Sequence, residues 1–444
     1  MDNQQSERRP DSGTRVPGVA RRRRLPRAGA VLLLAAAGCG GPSTVPVPSL
    51  PQVPGVPPTD PPPAPELPRA LSAAEVEVIG AGNRFAFDLL REASRPGDNL
   101  FLSPFSASLA LGMTLNGAEG ETWNQMREAL GFGGLAEEEI NAGYASLIQI
   151  LTGLDPAVET AIGNSVWTRL GFPVREEFVE VLREFFGAEA TELDFAGPSA
   201  SARINEWVRS ATGGHIEDIV SDPIPPGVLM VLINAIYFNA PWTFEFDPAN
   251  TRTEPFYPED RSTRTVPLMT ILRDFPYLET SRFQAVDLPY GGGAFSMTVL
   301  VPRDGVGVDD VVALLDAAAW GDIATGFEET EVELFLPRFR MEYERELKDD
   351  LAALGMVDAF SPGKADLTRL SPVDLWISSV LQKALVEVTE EGTEAAAATV
   401  VIGVTSAPPP PVTVRADRPF LFFIRERLTG AILFVGKLAH PPDA

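Results

Sequence analysis

Cysteine occurs once in these 444 residues, as Cys39, and histidine twice, as His215 and His440. So few ligands build neither a disulfide framework nor a Cys/His zinc site. A Ser-His-Asp hydrolase needs an imidazole beside its serine. Only two candidates exist for that imidazole, and one lies four residues from the C-terminus. No carboxylate pair stands out from the acidic background, so an enzyme is not expected, and neither a metal nor a cofactor. Basic residues are scarce as well: 36 Lys and Arg stand against 61 Asp and Glu, for a net charge of −25. Eight of the arginines fall in residues 1–38, so the remainder is more acidic still. Such a body argues against nucleic acid and against electrostatic docking on anionic lipid. Phosphate cradles are missing too. Gly291-Gly292-Gly293 is followed by no Lys-Ser/Thr, and Gly430 to Lys437 has the wrong spacing. There is no internal repeat. What remains is 45% hydrophobic and 22% charged, the composition of a globular protein.

The N-terminus reads as a leader. Residues 1–27 are polar and end in Arg21-Arg22-Arg23-Arg24-Leu25-Pro26-Arg27. Ala28 to Ala37 is apolar but too short to span a bilayer. A basic n-region, a short h-region and small residues make an export signal over 1–38. Ala36-Ala37-Gly38-Cys39 resembles the lipobox of bacterial lipoproteins, with Ala36 where Leu is usual. That resemblance implies lipid on Cys39 and a membrane partner through this anchor. The alternative is an ordinary signal peptide with an incidental Cys. Gly40 to Pro68 holds twelve prolines and few large apolar side chains, which makes 39–70 a lipid-attachment Cys followed by a semi-rigid tether. The expected location is the cell envelope or the extracellular space.

The folded body runs from 71 to 444. Ser72 with Glu75 three residues on is a capping box, and the apolar spacing after it predicts a helix to about Arg91. Ser103-Pro104 suits a cap and a first helical turn. Leu229 to Trp242 is a long apolar strand run with Asn234 inside it, and a buried Asn must be hydrogen-bonded. Strands are also expected at Val286–Tyr290, Phe295–Pro302, Val332–Arg340 and Leu375–Thr389, and a short helix at Arg345–Leu354. Asp417 to Arg425 and Ala431 to Lys437 read as the arms of a buried hairpin.

The chain is organised around the stretch after Lys383–Thr389. It reads Glu390-Glu391-Gly392-Thr393-Glu394-Ala395-Ala396-Ala397-Ala398-Thr399, and then small and apolar residues up to Pro408–Pro411. Ala and Glu are strong helix formers, so Glu394 to Ala398 alone reads as helix. The other reading is a segment that slides between two strands. Small side chains allow that with little repacking, and Gly392 supplies a free hinge. This stretch resembles the reactive-loop hinge of inhibitory serpins, whose pattern is Glu, a variable residue, Gly, Thr or Ser, and a run of small residues. The resemblance extends over Leu71 to His440. It takes in Asn99-Leu100-Phe101-Leu102-Ser103-Pro104-Phe105-Ser106, Ile204 to Ile219 and Asp417-Arg418-Pro419-Phe420. Gly213-Gly214-His215 departs from the family's Gly-Lys, and His215 reads as a surface residue.

The resemblance implies an α+β serpin fold with three β-sheets, eight or nine helices and an exposed reactive-centre loop. It implies a monomeric inhibitor that forms a covalent acyl complex with a serine protease. The alternative is a non-inhibitory serpin that acts as a binding or scaffold protein. The resemblance also implies a shutter of Ser103, Ser106, Asn234 and Gln382, in which the Asn bonds the serines. Gln382 stands where many animal serpins carry His, so no proton-sensitive shutter is expected. Trp242 is implied near the top of the sheet where the loop inserts. The hinge is Glu390, Gly392, Thr393, Ala395, Ala396, Ala397 and Ala398. Family loop length puts the bait bond at Ser406-Ala407 or Thr405-Ser406, because proteases rarely cut before proline. No Arg or Lys lies between Lys383 and Arg415, which points to elastase-like or subtilisin-like targets.

Overall fold

Ser72 opens the body. Its hydroxyl accepts from the Glu75 N–H at 3.2 Å, while the Glu75 carboxylate accepts from the Ser72 N–H at 2.6 Å. Two donors that the first helical turn leaves bare are thereby satisfied. The computed structural model describes residues 65–214, 216, 218–391 and 410–441. Its elements are α1 (Ala73–Ala93), β1 (Leu100–Leu102), α2 (Pro104–Leu115), α3 (Gly120–Ala129), α4 (Glu137–Leu151), β2 (Glu159–Arg169), α5 (Glu176–Phe186), β3 (Glu189–Leu193), α6 (Ala200–Ala211) and β4 (Met230–Asn239). They continue with β5 (Arg252–Phe256), β6 (Arg264–Glu279), β7 (Phe283–Tyr290), β8 (Phe295–Pro302), α7 (Val308–Leu314), α8 (Ala317–Thr325), β9 (Glu328–Pro337), β10 (Phe339–Glu346), α9 (Lys348–Ala353), β11 (Leu381–Val388), β12 (Val412–Arg415), β13 (Phe420–Glu426) and β14 (Ile432–Leu438). Among the described residues this makes nine α-helices and three hydrogen-bonded sheets, the α+β architecture expected.

The largest sheet has nine strands, ordered β1-β14-β13-β8-β7-β6-β9-β12, with β5 on β6. Every residue of β13 and β14 is buried, as a continuous apolar hairpin requires. Gly436 allows it: a Cβ there would lie 2.1 Å from the Phe422 ring. Phe101 stacks on Phe422 and Phe434 at 5.8 and 5.4 Å, which carries this core up to α2. Two smaller sheets lie across that core. One is β3-β2-β4 and the other β10-β11.

Some expected boundaries are corrected. Val332–Arg340 is not one strand. β9 ends at Pro337 and β10 starts at Phe339, because Pro337 has no N–H and Arg338 donates its own to Pro267 instead. Regular pairing of the Leu375–Thr389 segment begins only at Leu381. Before that, Ile377 N–H goes to the Ala359 carbonyl and Val380 N–H to the Glu346 carboxylate. The expected helix from Arg345 starts at Lys348, since Arg345 and Glu346 belong to β10. The run Leu229–Trp242 forms a ladder only as Met230–Asn239, and Trp242 makes a separate bridge to Tyr290.

Candidate functional site: a cleft between two strand edges

β4 is the last strand of one small sheet and β11 of the other, and no ladder joins them among the described residues. A cleft of about 920 Å³ lies between them. Leu232, Asn234, Ile236 and Phe238 line it from β4, Gln382, Ala384 and Val386 from β11, and Phe101, Ser103, Ser106 and Phe434 from below. Two strand edges that no ladder joins among the described residues, facing one gap, are a template for another strand. Its floor is apolar, so an extended segment with small side chains would gain both hydrogen bonds and burial there.

In the middle of the cleft the chain is held by amides. Ser103 caps α2 with its hydroxyl, which accepts from the Ser106 N–H at 3.1 Å and donates to the Leu433 carbonyl at 2.8 Å. The buried Gln382 side chain pairs with the Ser103 backbone as a strand would. Its Oε1 accepts from Ser103 N–H at 3.0 Å, and its Nε2 donates to the Ser103 carbonyl at 2.8 Å. Neither group titrates near neutral pH. Asn234 departs from what the family resemblance implied. Its amide turns away from the serines and donates to Asn164 Oδ1 at 2.8 Å. Asn164 passes the chain on to the Phe186 carbonyl at 2.7 Å. Ser106 reaches only the Asn234 backbone carbonyl, at 3.4 Å. The cause is register: Asn164 and Asn234 sit directly opposite in β2 and β4, so the two amides meet.

At the end where β4 finishes, the chain leaving β11 is clamped. Trp242 donates its indole N–H to the Thr389 carbonyl at 3.0 Å and its backbone N–H to Glu391 at 3.1 Å. Its ring stacks on Tyr290 with centroids 4.3 Å apart. Burial pushes the Tyr290 phenol up, so the stacked ring is neutral. Glu390 is 8% exposed. Its carboxylate accepts from the Thr251 hydroxyl at 2.8 Å and faces the Arg338 guanidinium at 3.6 Å, and its carbonyl accepts from Phe246. The start of the hinge is therefore fixed on three sides.

The structure thus gathers Ser103, Ser106, Asn234 and Gln382 at mid-cleft, and Trp242 and Glu390 at its end. Gly392, Thr393, Ala395, Ala396, Ala397, Ala398, Thr405, Ser406 and Ala407 lie outside the described residues, as does Cys39. Sequence reasoning missed Asn164, Thr251, Phe246 and Arg338. Their partners Asn234 and Glu390 lie 52 to 144 positions away in the chain, and no local pattern marks them. Among the described residues no three His, Cys, Asp or Glu side chains converge to hold a metal. No helix there is long and apolar enough to cross a membrane.

Among the described residues the site is thus a cleft edged by β4 and β11, with Glu390 held at its end. A family profile described as serpin (serine protease inhibitor) matches residues 80–441. The chain is 36% identical over 380 residues to the leukocyte elastase inhibitor of Bos taurus, across 82% of this chain and 100% of that one. Its fold is similar to that of tengpin, a thermophilic serpin in the native state, with a TM-score of 0.75 and 29% identity over 84% of this chain and 95% of the other. It is equally similar to human thyroxine-binding globulin in complex with thyroxine, with a TM-score of 0.75 and 28% identity over 84% and 100%. The chain belongs to the serpin family.

Proposed function

We propose that this protein inhibits serine endopeptidases by trapping them as acyl-enzymes. The protease serine attacks the carbonyl of Ser406, or of Thr405, and becomes its ester. The amine of the next residue leaves as a new N-terminus. Freed at that end, the chain from Thr393 onward enters the cleft between β4 and β11 and carries the protease with it. About fourteen residues at roughly 3.3 Å each give a travel of about 45 Å. At about 1 kcal/mol net per new backbone hydrogen bond, insertion yields on the order of 10 kcal/mol before side-chain burial.

The observation that carries this reading is the unpaired cleft directly continuous with a hinge of small residues. Bulky or charged side chains at Thr393 or at Ala395 to Ala398 would not enter it. Elastase-like or subtilisin-like targets follow from the small uncharged residues Thr405, Ser406 and Ala407, and a relative named for inhibiting leukocyte elastase supports that choice. In this reading the chain is exported and held at the cell envelope by lipid on Cys39. A second reading, a non-inhibitory binding protein, draws on the likeness to a thyroxine carrier. The test separates them. Incubation with elastase-like and subtilisin-like proteases should give an SDS-stable complex, and the released C-terminal peptide should begin at Ser406 or Ala407. Thr393→Arg should be cleaved without forming the complex, because a buried unpaired charge would stall insertion. A wild-type chain that is cut and never trapped supports the binding-protein reading.

A further inference from the structure

The body is short of positive charge, and lysine most of all. Only four lysines occur in the chain, Lys348, Lys364, Lys383 and Lys437, and Lys437 is buried. Beyond residue 38, 28 Lys and Arg stand against 58 Asp and Glu. The excess is set in rows on three separate elements. α5 carries Glu176, Glu180 and Glu184 four residues apart, all exposed, and like charges at that spacing repel. Glu184 also lies in the last turn, where the helix dipole disfavours a carboxylate. The one cation within α5, Arg183, reaches only Glu176, at 3.7 Å, which leaves Glu180 and Glu184 without an ion-pair partner among the described residues. β10 presents Glu342, Glu344 and Glu346 on one side of the strand, against Arg340 and Lys383 alone. On the large sheet, Asp274 of β6 stands directly opposite Glu331 of β9, and both are exposed. Like charges so placed weaken a sheet.

These rows lie apart from one another, and they act through their summed field. A net charge this far from zero opposes the compact state. At 0.01 M salt the Debye length is about 30 Å, so charges repel across the whole body; at 1 M it is about 3 Å, shorter than the spacing within a row. We infer that the fold is built for a medium of high ionic strength, and that salt sets how stable the native form is. The choice of cations fits. An arginine fork holds both oxygens of one carboxylate, as Arg345 holds Asp350 and Arg369 holds Glu137, each by two contacts of 2.6 Å. Paired forks persist in salt better than lone exposed charges, whose attraction is screened. The inference stands on charge placement and is independent of the inhibitor reading.

The test is the melting temperature of the full chain at 0.05 M and at 1 M NaCl. It should rise by on the order of 10 °C. KCl should match NaCl, because screening depends on ionic strength and not on the ion. The variant Glu176→Gln/Glu180→Gln/Glu184→Gln keeps good helix formers. It should melt about 3 °C above wild type at 0.05 M and level with it at 1 M. Arg183→Gln should melt lower than wild type at 0.05 M and level with it at 1 M. A wild type that melts at the same temperature in both salts overturns the inference. So does a rise given by only one of the two cations, which would mean a bound ion, and so does a triple variant that melts with wild type at 0.05 M.

Discussion

The two small sheets that flank the cleft are held by different means. β10 and β11 bury Phe339, Met341, Ala384, Val386 and Val388 in the main core and are fastened to the body by polar groups as well. Gln382 pairs with the Ser103 backbone, Lys383 meets Glu344 across the ladder at 2.8 Å, and Arg345 grips the buried Asp350 with two contacts of 2.6 Å. β2, β3 and β4 are held mainly by apolar contact, beside the amide chain from Asn234 through Asn164 to the Phe186 carbonyl. Trp167 and Ile233 of that half join Ile204 and Val208 of α6, Phe195 and Ile224 in a cluster separate from the main core. Ser106 reaches β4 by a single long hydrogen bond of 3.4 Å. Directional bonds break on displacement, whereas apolar surfaces slide with less loss. In the inhibitor reading proposed above, the β10–β11 side is the fixed jaw of the cleft, and the β2–β4 side with α6 is the one that shifts to admit a strand.

The largest effect should come from the fixed jaw. Arg345→Met leaves Asp350 buried without its main counter-charge, which costs about 3–5 kcal/mol. The melting temperature should fall by about 5–10 °C. Gln382→Ala leaves the Ser103 N–H unmet and takes one of two donors from the Ser103 carbonyl, which keeps the Ala107 N–H, and should cost about 2–4 kcal/mol in a denaturant titration. Asn234→Ala, on the other half, strands only Asn164 Oδ1 and should cost about 1–2 kcal/mol. If Asn234→Ala proved the costlier change, the assignment of fixed and moving halves would be reversed.

These residues also show what the sequence made legible. The Ser72 and Ser103 caps, the β13–β14 hairpin and the hinge pattern at Glu390 are local, and each stands in the chain as a short string. The roles of Trp242 and Gln382 were legible only through family resemblance. The partner of Asn234 was not legible, because cross-strand register brings Asn164 to it from 70 positions away. The gap itself leaves no mark either. β4 and β11 both read as ordinary strands, and nothing in either says that they remain unpaired. Residues 375–380 looked like strand because they are apolar, but their N–H groups found partners outside any ladder.

A smaller effect falls where the chain enters the body. Hydrogen bonding to Arg69, more than any other contact, holds the Glu75 carboxyl well below the usual carboxylate range. A depressed folded value means that the stabilisation is complete above the unfolded value of about 4.3 and fades as pH falls below it. Arg69→Gln should therefore lower stability at pH 7 to 8, where this contribution is fully present, change little at strongly acid pH, and so flatten the acid side of the stability profile. Least of all, Lys383→Gln removes an exposed cross-strand pair and should cost less than about 1 kcal/mol.

The central claim is that the cleft between β4 and β11 is kept for the chain's own loop. Its most direct measurement is the melting temperature before and after a non-target protease nicks the loop between Gly392 and Pro411. Ten or so new ladder bonds are worth about 10 kcal/mol, so the nicked protein should melt about 20 °C higher than the intact one. Superimposable melting curves would mean that the cut loop stays outside the sheet, and would contradict the account.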